Sequence, residues 1–143
     1  MINREIVNNK MTAIKDYLGE LHPLLEAESR KIIEDSVSLH AIERLFQLIV
    51  DSTLDINTHI IAESSFPAPE DYQSTFIALG KNDVLPMDFA LKIAPSVGLR
   101  NQIVHKYGKV DLKFMIDQIK NEIGDYAEYL KHIDGFLKRQ PNG

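Results

Sequence analysis

Apolar residues recur along this chain at intervals of three and four, the spacing of one helix face, and almost nowhere at the interval of two that a half-buried strand requires. Ile6, Met11, Ile14, Leu18 and Leu21 fall near one stripe and predict an amphipathic helix over about 2–21, limited by Pro23. Ile42, Leu45, Phe46, Ile49, Val50, Leu54, Ile56, Ile60 and Ile61 continue the rhythm. Asp35-Ser36 favours a cap over a helix interior, so this stretch predicts a short helix over 26–34 and a long one over 37–63. Ser64-Ser65-Phe66-Pro67-Ala68-Pro69 is a loop. A short helix over 70–79 is expected to stop at Gly80, and Pro86 suits the first position of another reaching about 94. Pro95 and Gly98 loosen the chain before a short helix over 99–107, which Gly108 should end. Asp111 is placed to cap a last long helix over 112–138, with Phe114, Met115, Ile119, Ile123, Tyr126, Leu130, Ile133 and Leu137 as its apolar positions. The pattern predicts one all-α domain over 1–143: an antiparallel helical bundle with about three long and several short helices.

At 143 residues the chain can bury a real core. It has no cysteine, which excludes a disulfide scaffold, a thiolate metal site and a cysteine nucleophile. No apolar run is long enough to span a membrane, and Met1-Ile2-Asn3-Arg4-Glu5-Ile6 is too polar for a secretory signal, so a reducing, cytoplasmic setting is expected. Charge changes the picture. The net formal charge is −5, yet between Phe89 and Lys113 lie Lys92, Arg100, Lys106, Lys109 and Lys113 against Asp111 alone, a window of 5 − 1 = +4. The rest of the chain holds 11 bases and 20 acids, or −9, so one basic island sits in an acidic protein.

Phosphate-binding glycine loops, HExxH and GxSxG are all absent from the sequence. Asp51, Asp55, His59 and Glu63 repeat every four residues and form a ladder on one helix face, but no facing Glu-x-x-His pair completes a di-metal set, and no metal or other cofactor is expected. His22 lies in a turn setting beside Pro23, while His40 and His132 sit among charges as surface residues. The strongest signal is inside the basic island: Arg100-Asn101-x-x-x-His105-x-Tyr107. On a helix Asn101 and His105 share a face, as do Arg100 and Tyr107, whereas Arg100 and His105 diverge by roughly 140°. A two-fold dimer, in which this helix meets its copy, would bring one subunit's Arg near the other's His. The residue types suit RNA cleavage by the 2′-hydroxyl. Histidine moves protons near neutral pH, arginine is a fixed forked phosphate ligand, and asparagine can orient either the imidazole or the phosphate.

Gly98-Leu99-Arg100-Asn101-Gln102-Ile103-Val104-His105-Lys106-Tyr107 resembles the signature of HEPN-domain ribonuclease toxins of the HepT type. Asp55-Ile56-Asn57-Thr58-His59-Ile60-Ile61 resembles that family's long-helix segment, and Thr75-Phe76-Ile77-Ala78-Leu79 with Leu85-Pro86 its short-helix region. The likeness spans about 41–111. It implies an all-α HEPN-like domain, a homodimer with a composite active site and metal-independent endoribonuclease activity on cellular RNA such as tRNA or mRNA. It also implies an antitoxin partner, a minimal nucleotidyltransferase that adds AMP to the motif tyrosine. By position, Arg100 and His105 would be catalytic, Asn101 an active-site helper and Tyr107 the modified residue, with Lys106 and Lys109 binding RNA. The other reading of the same residues is a non-catalytic helical module that binds a nucleotidyltransferase partner, a nucleotide or RNA.

Overall fold

The computed structural model describes residues 1–105 and 111–141. Among them the chain forms eight helices and no strand: α1 (Arg4–Leu24), α2 (Ser29–Glu34), α3 (Ser36–Glu63), α4 (Gln73–Lys81), α5 (Met87–Ile93), α6 (Ser96–His105), α7 (Leu112–Glu122) and α8 (Gly124–Arg139). The all-α architecture matches the periodicity.

The central element is α3, and neighbours lie along it in alternating directions. The start of α1 meets the end of α3, where the Asn3 amide donates to His59 Nε2 and Lys10 reaches Asp55, so the two run antiparallel. α8 is antiparallel to α1, since the Arg4 guanidinium donates to the Gln140 carbonyl. α6 is antiparallel to α3, because Arg100 lies against Asp51 while Ile103 lies beside Leu39 and Glu43.

The core follows from the helical stripes. On α1 the buried residues are Val7, Met11, Ile14, Leu18 and Leu21, at alternating intervals of four and three. Val7, not Ile6, heads that stripe: Ile6 is 44% exposed and Val7 is sealed. On α3, Ile42, Phe46, Ile49, Val50 and Ile60 are fully enclosed. Phe46 meets Tyr126 of α8 edge-on, with ring centroids 6.4 Å apart. A buried polar network ties three helices together. Tyr129 donates its hydroxyl proton to Asn57 Oδ1 (2.6 Å), and Asn57 Nδ2 donates to Thr75 Oγ1 (3.0 Å), so α8, α3 and α4 are joined with their polar groups satisfied.

Helix starts agree with the capping residues in the sequence. Asn3 accepts from the Ile6 amide, Asp35 from Val37 and Ser38, and Asp111 from Phe114. Several expectations need correction. Pro23 lies inside the last turn of α1 rather than beyond its end. α4 begins at Gln73, not at 70, where the Asp71 carboxylate takes the Ser74 amide, and it runs through Gly80. Gly80 serves packing instead: a Cβ there would stand 3.0 Å from Ala90 Cβ and 3.0 Å from Met87 Sδ, so its bare backbone lets α5 approach. α6 begins at Ser96, three residues early, and takes Gly98 into its interior. The segment 112–138 is two helices rather than one. α7 ends at Glu122 and α8 starts at Gly124, across an Ile123 that keeps helical angles. Phe114, counted among the apolar positions of that segment, is 57% exposed.

Candidate active site

α6 is a short helix held at its start and along one side. The hydroxyls of Ser96 and Tyr126 share a buried hydrogen bond, and one turn earlier Lys92 pairs with Asp125 on the first turn of α8 (3.2 Å). Val97, Leu99 and Ile103 are buried. With those positions facing inward, Arg100 is left half-buried, and Asn101, Gln102, Val104 and His105 face outward. The outer strip of α6 therefore carries the described motif residues Arg100, Asn101 and His105, together with Gln102 and Val104.

Within this strip the Arg100 guanidinium is held from two sides. Its Nε donates to Asp51 Oδ1 of α3 at 2.8 Å, and its Nη1 donates to Asn101 Oδ1 at 3.1 Å. Asn101 thus touches the arginine, a contact that differs from both expected roles, orienting the imidazole and orienting the phosphate. His105 lies at the end of α6, exposed, on the same helix as Arg100. The expectations for Lys106, Tyr107, Gly108 and Lys109 lie outside the described residues.

The basic island looks different in space than in sequence. Lys92 is paired with Asp125, Arg100 with Asp51 and Lys113 with Asp117, each an acid from outside the +4 window. The Asp125 carboxylate beside Lys92 and the Asp117 carboxylate beside Lys113 hold both ammonium groups above the usual lysine range. The three described bases of the island are locally neutralised.

The acidic ladder on α3 also resolves. Asp51 binds Arg100, Asp55 binds Lys10 at 2.9 Å, His59 accepts the Asn3 amide at 2.9 Å, and Glu63 takes the Met1 amino group at 2.9 Å. Each rung ties a neighbouring segment to α3, and among the described residues no group of three or more His, Asp or Glu is placed to hold a metal ion. His40 is an exposed residue beside a charge, as expected, whereas His132 is half-buried. His40 Nδ1 lies 3.0 Å from Glu43, and the His132 ring packs on Phe89 at 4.9 Å.

Two features escaped sequence reasoning. Glu43 is a nearly buried carboxylate, 8% exposed, beside a cavity of about 150 Å³ that Gln102 and Ile103 of α6 also line. Its position one turn from Phe46 on the buried face of α3 was the available signal. Glu122 has a buried Oε2 without a hydrogen-bond partner among the described residues, and burial, with Asp125 nearby, pushes its carboxyl up to about 7. The larger cavity, about 460 Å³, lies between Met1, Phe66, Phe136 and Pro141 and includes no motif residue.

Comparison with known proteins places the family and the fold. Residues 14–133 match the family described as Ribonuclease HepT-like. The chain is 30% identical over 132 residues to the tRNA nuclease HepT of Aphanizomenon flos-aquae, covering 92% of this chain and 90% of that one. It is 23% identical over 133 residues to the mRNA nuclease HepT of Shewanella oneidensis, covering 90% and 96%. In fold it resembles the tri-AMPylated Shewanella oneidensis HEPN toxin solved in complex with an MNT antitoxin, with a TM-score of 0.84 at 20% identity over 93% of this chain and 99% of that one. It also resembles the Bacillus subtilis cytosolic protein YutE, with a TM-score of 0.83 at 15% identity over 99% and 96%. At such identities the solved structures speak for the fold alone, whereas the family match spans most of the chain, and this protein belongs to the HepT-like ribonuclease family.

Proposed function

We propose that this protein is the endoribonuclease toxin of a toxin–antitoxin pair and cuts cellular RNA with Arg100, Asn101 and His105. The observation that carries the reading is the oriented guanidinium: Arg100 is gripped at Nε and Nη1 on a surface helix that also presents His105. Of the five N–H donors of an arginine, two are engaged and three remain on the terminal nitrogens, the forked geometry that suits phosphate oxygens.

The chemistry is transesterification. The 2′-oxygen of one nucleotide forms a bond to the adjacent phosphorus and the bond from phosphorus to the 5′-oxygen breaks. The 2′-hydroxyl gives up its proton, the leaving 5′-oxygen takes one, and the crowded phosphate oxygens gather negative charge. Arg100 is suited to that charge and His105 to the proton transfer. The step consumes no cofactor. Arg100 and His105 leave α6 in different directions, so we place the working site between two copies of the chain, with Arg100 of one near His105 of the other. Lys106 and Lys109 supply the phosphate attraction that the paired lysines of the island do not.

The partner in this reading is a minimal nucleotidyltransferase antitoxin, and control acts on Tyr107, two residues beyond His105. Adding AMP to its hydroxyl would bring at least one negative charge and a bulky nucleoside to the motif, occupying the place of the substrate backbone. The action is cytoplasmic, and tRNA and mRNA, on which the two named relatives act, are the substrates to try first.

Expression in a bacterial host tests the proposal. The wild-type chain alone should arrest growth, His105→Ala should not, and co-expression of the nucleotidyltransferase should restore growth with an AMP-sized mass increment on Tyr107. Tyr107→Phe should stay toxic beside the partner. Growth arrest by His105→Ala equal to wild type would refute the catalytic reading. Silencing of Tyr107→Phe would refute control through that hydroxyl.

A further inference from the structure

Asp51 enters none of the roles above, yet it makes the shortest contact to the proposed phosphate ligand. We infer that Asp51 is a positioning residue for RNA cleavage, fixing the plane of the Arg100 guanidinium so that its terminal nitrogens face the scissile phosphate. The inference rests on the ribonuclease reading of Arg100.

The argument begins with where Asp51 stands. It follows Val50, which is sealed, and precedes Ser52 and Thr53, which are 8% and 0% exposed. Its backbone belongs to a stretch in which Ile49, Val50, Ser52, Thr53 and Leu54 are all buried, so its carboxylate is presented from a packed base. Arg100 lies 49 positions away on a ten-residue helix of which half the residues are exposed. A long arginine side chain on such a helix samples many rotamers unless something stops it. The 2.8 Å bond at Nε stops it at the one nitrogen that lies within the side chain's own bend, and the Asn101 bond at Nη1 limits rotation about the last torsion. Nη2 remains with both hydrogens uncommitted to these two partners, and Nη1 keeps one.

The pair is poorly suited to a purely structural purpose. Val97, Leu99 and Ile103 already bury the inner face of α6, and part-exposed ion pairs contribute little to stability. Asp51 also carries a cost for binding, because a carboxylate beside Arg100 weakens the attraction for an anionic substrate. An acid in that place makes sense if orientation matters more than raw charge. This predicts a split between kcat and KM. Removing the acceptor should reduce turnover, because small misplacements of a catalytic group cost up to about 100-fold. Removing only the charge should leave turnover near normal and tighten substrate binding.

The test uses the full-length chain, a defined single-stranded RNA oligonucleotide and four proteins: wild type, Asp51→Ala, Asp51→Asn and Asp55→Ala. Asp55 is the control, since it sits one turn along the same helix in an ion pair of 2.9 Å with Lys10. Asp51→Ala should lower kcat about 10- to 100-fold without raising KM, Asp51→Asn should recover kcat to within a few-fold and show a lower KM, and Asp55→Ala should match wild type. Thermal melts should be alike for all four. The assignment is overturned if Asp51→Ala keeps its kcat within twofold, if Asp51→Asn loses as much turnover as Asp51→Ala, or if Asp55→Ala is equally impaired. An inactive wild-type protein would overturn the ribonuclease reading itself and this inference with it. An active wild type with an unaffected Asp51→Ala would overturn the role of Asp51 alone.

Discussion

α1 and α6 both lie antiparallel against α3, but they are held by different means. α1 runs for 21 residues and turns five apolar side chains inward in an unbroken three-and-four rhythm. α6 runs for ten and buries three apolar side chains, Val97, Leu99 and Ile103, together with Ser96. The polar ties across the first seam, from Asn3 to His59 and from Lys10 to Asp55, lie at the solvent edge of a contact that hydrophobic burial already secures. The tie across the second, from Arg100 to Asp51, holds the most distinctive side chain of the chain in place. One face of α3 is secured by hydrophobic burial, and another carries the carboxylate that holds the Arg100 guanidinium. Damage to the first should appear as lost stability with intact chemistry, and damage to the second as lost chemistry with intact stability.

The first seam's side of this comparison is broken most sharply by Ile14→Ala. Ile14 is fully buried in the middle of the α1 stripe. Its truncation should cost about 2–5 kcal/mol by denaturant unfolding, while the fraction that stays folded cleaves RNA normally. A smaller effect separates two glycines that look alike in sequence. Gly80→Ala should cost about 1–2 kcal/mol, because its Cβ would press on Ala90 and Met87, whereas Gly98→Ala, with no atom within 4 Å to meet, should stabilise by about 0.5–1 kcal/mol. Opposite signs are the point of the pair, and a common sign from the melts would refute the packing role of Gly80.

The smallest expected effect concerns pH. Glu122 has its carboxyl pushed from 4.5 to about 7 by burial and by Asp125, so the folded protein holds a proton that the unfolded chain releases earlier. Between about 4.5 and 7 stability should therefore fall as pH rises, and above 7 the full cost of an ionised buried carboxylate is present. Glu122→Gln should leave the melting temperature unchanged near pH 4, raise it by a few degrees at pH 8 and flatten the slope between. An unchanged slope would refute the assignment of that window to Glu122.

Much of this molecule was legible in its sequence because its helices are long and two-faced. The stripes on α1 and α3, and the caps at Asp35 and Asp111, are local features, and local rules read them apart from Ile6, whose place on the α1 stripe Val7 takes. Gly80 and Gly124 were harder for a shared reason. A glycine's preference against helix is only about 1 kcal/mol, so tertiary packing decides whether it ends a helix, sits inside one or opens one. At Gly80 the approach of α5 decided, whereas at Gly124, where a Cβ would meet nothing within 4 Å, one helix ends and the next begins along what reads as a single apolar stripe. In the candidate site, the motif residues Arg100, Asn101 and His105 could be picked out by type and spacing, as could the ladder from Asp51 to Glu63. What the ladder binds could not, because the partners stand far off in the chain: 49 positions separate Asp51 from Arg100, and 45 separate Lys10 from Asp55. The basic island misled in the same way, since Lys92 meets its acid on α8 only after the helices have packed.

The claim that the outer strip of α6 cuts RNA is tested most directly by one measurement: single-turnover cleavage of a labelled RNA by purified wild type, Arg100→Ala and His105→Ala proteins in EDTA, with the melting temperature of each recorded alongside. The account predicts cleavage by the wild type in EDTA, a loss of at least about 100-fold in each variant, and melting curves that superimpose. Cleavage by His105→Ala at the wild-type rate, or wild-type activity that vanishes in EDTA and returns with a divalent cation, would contradict it.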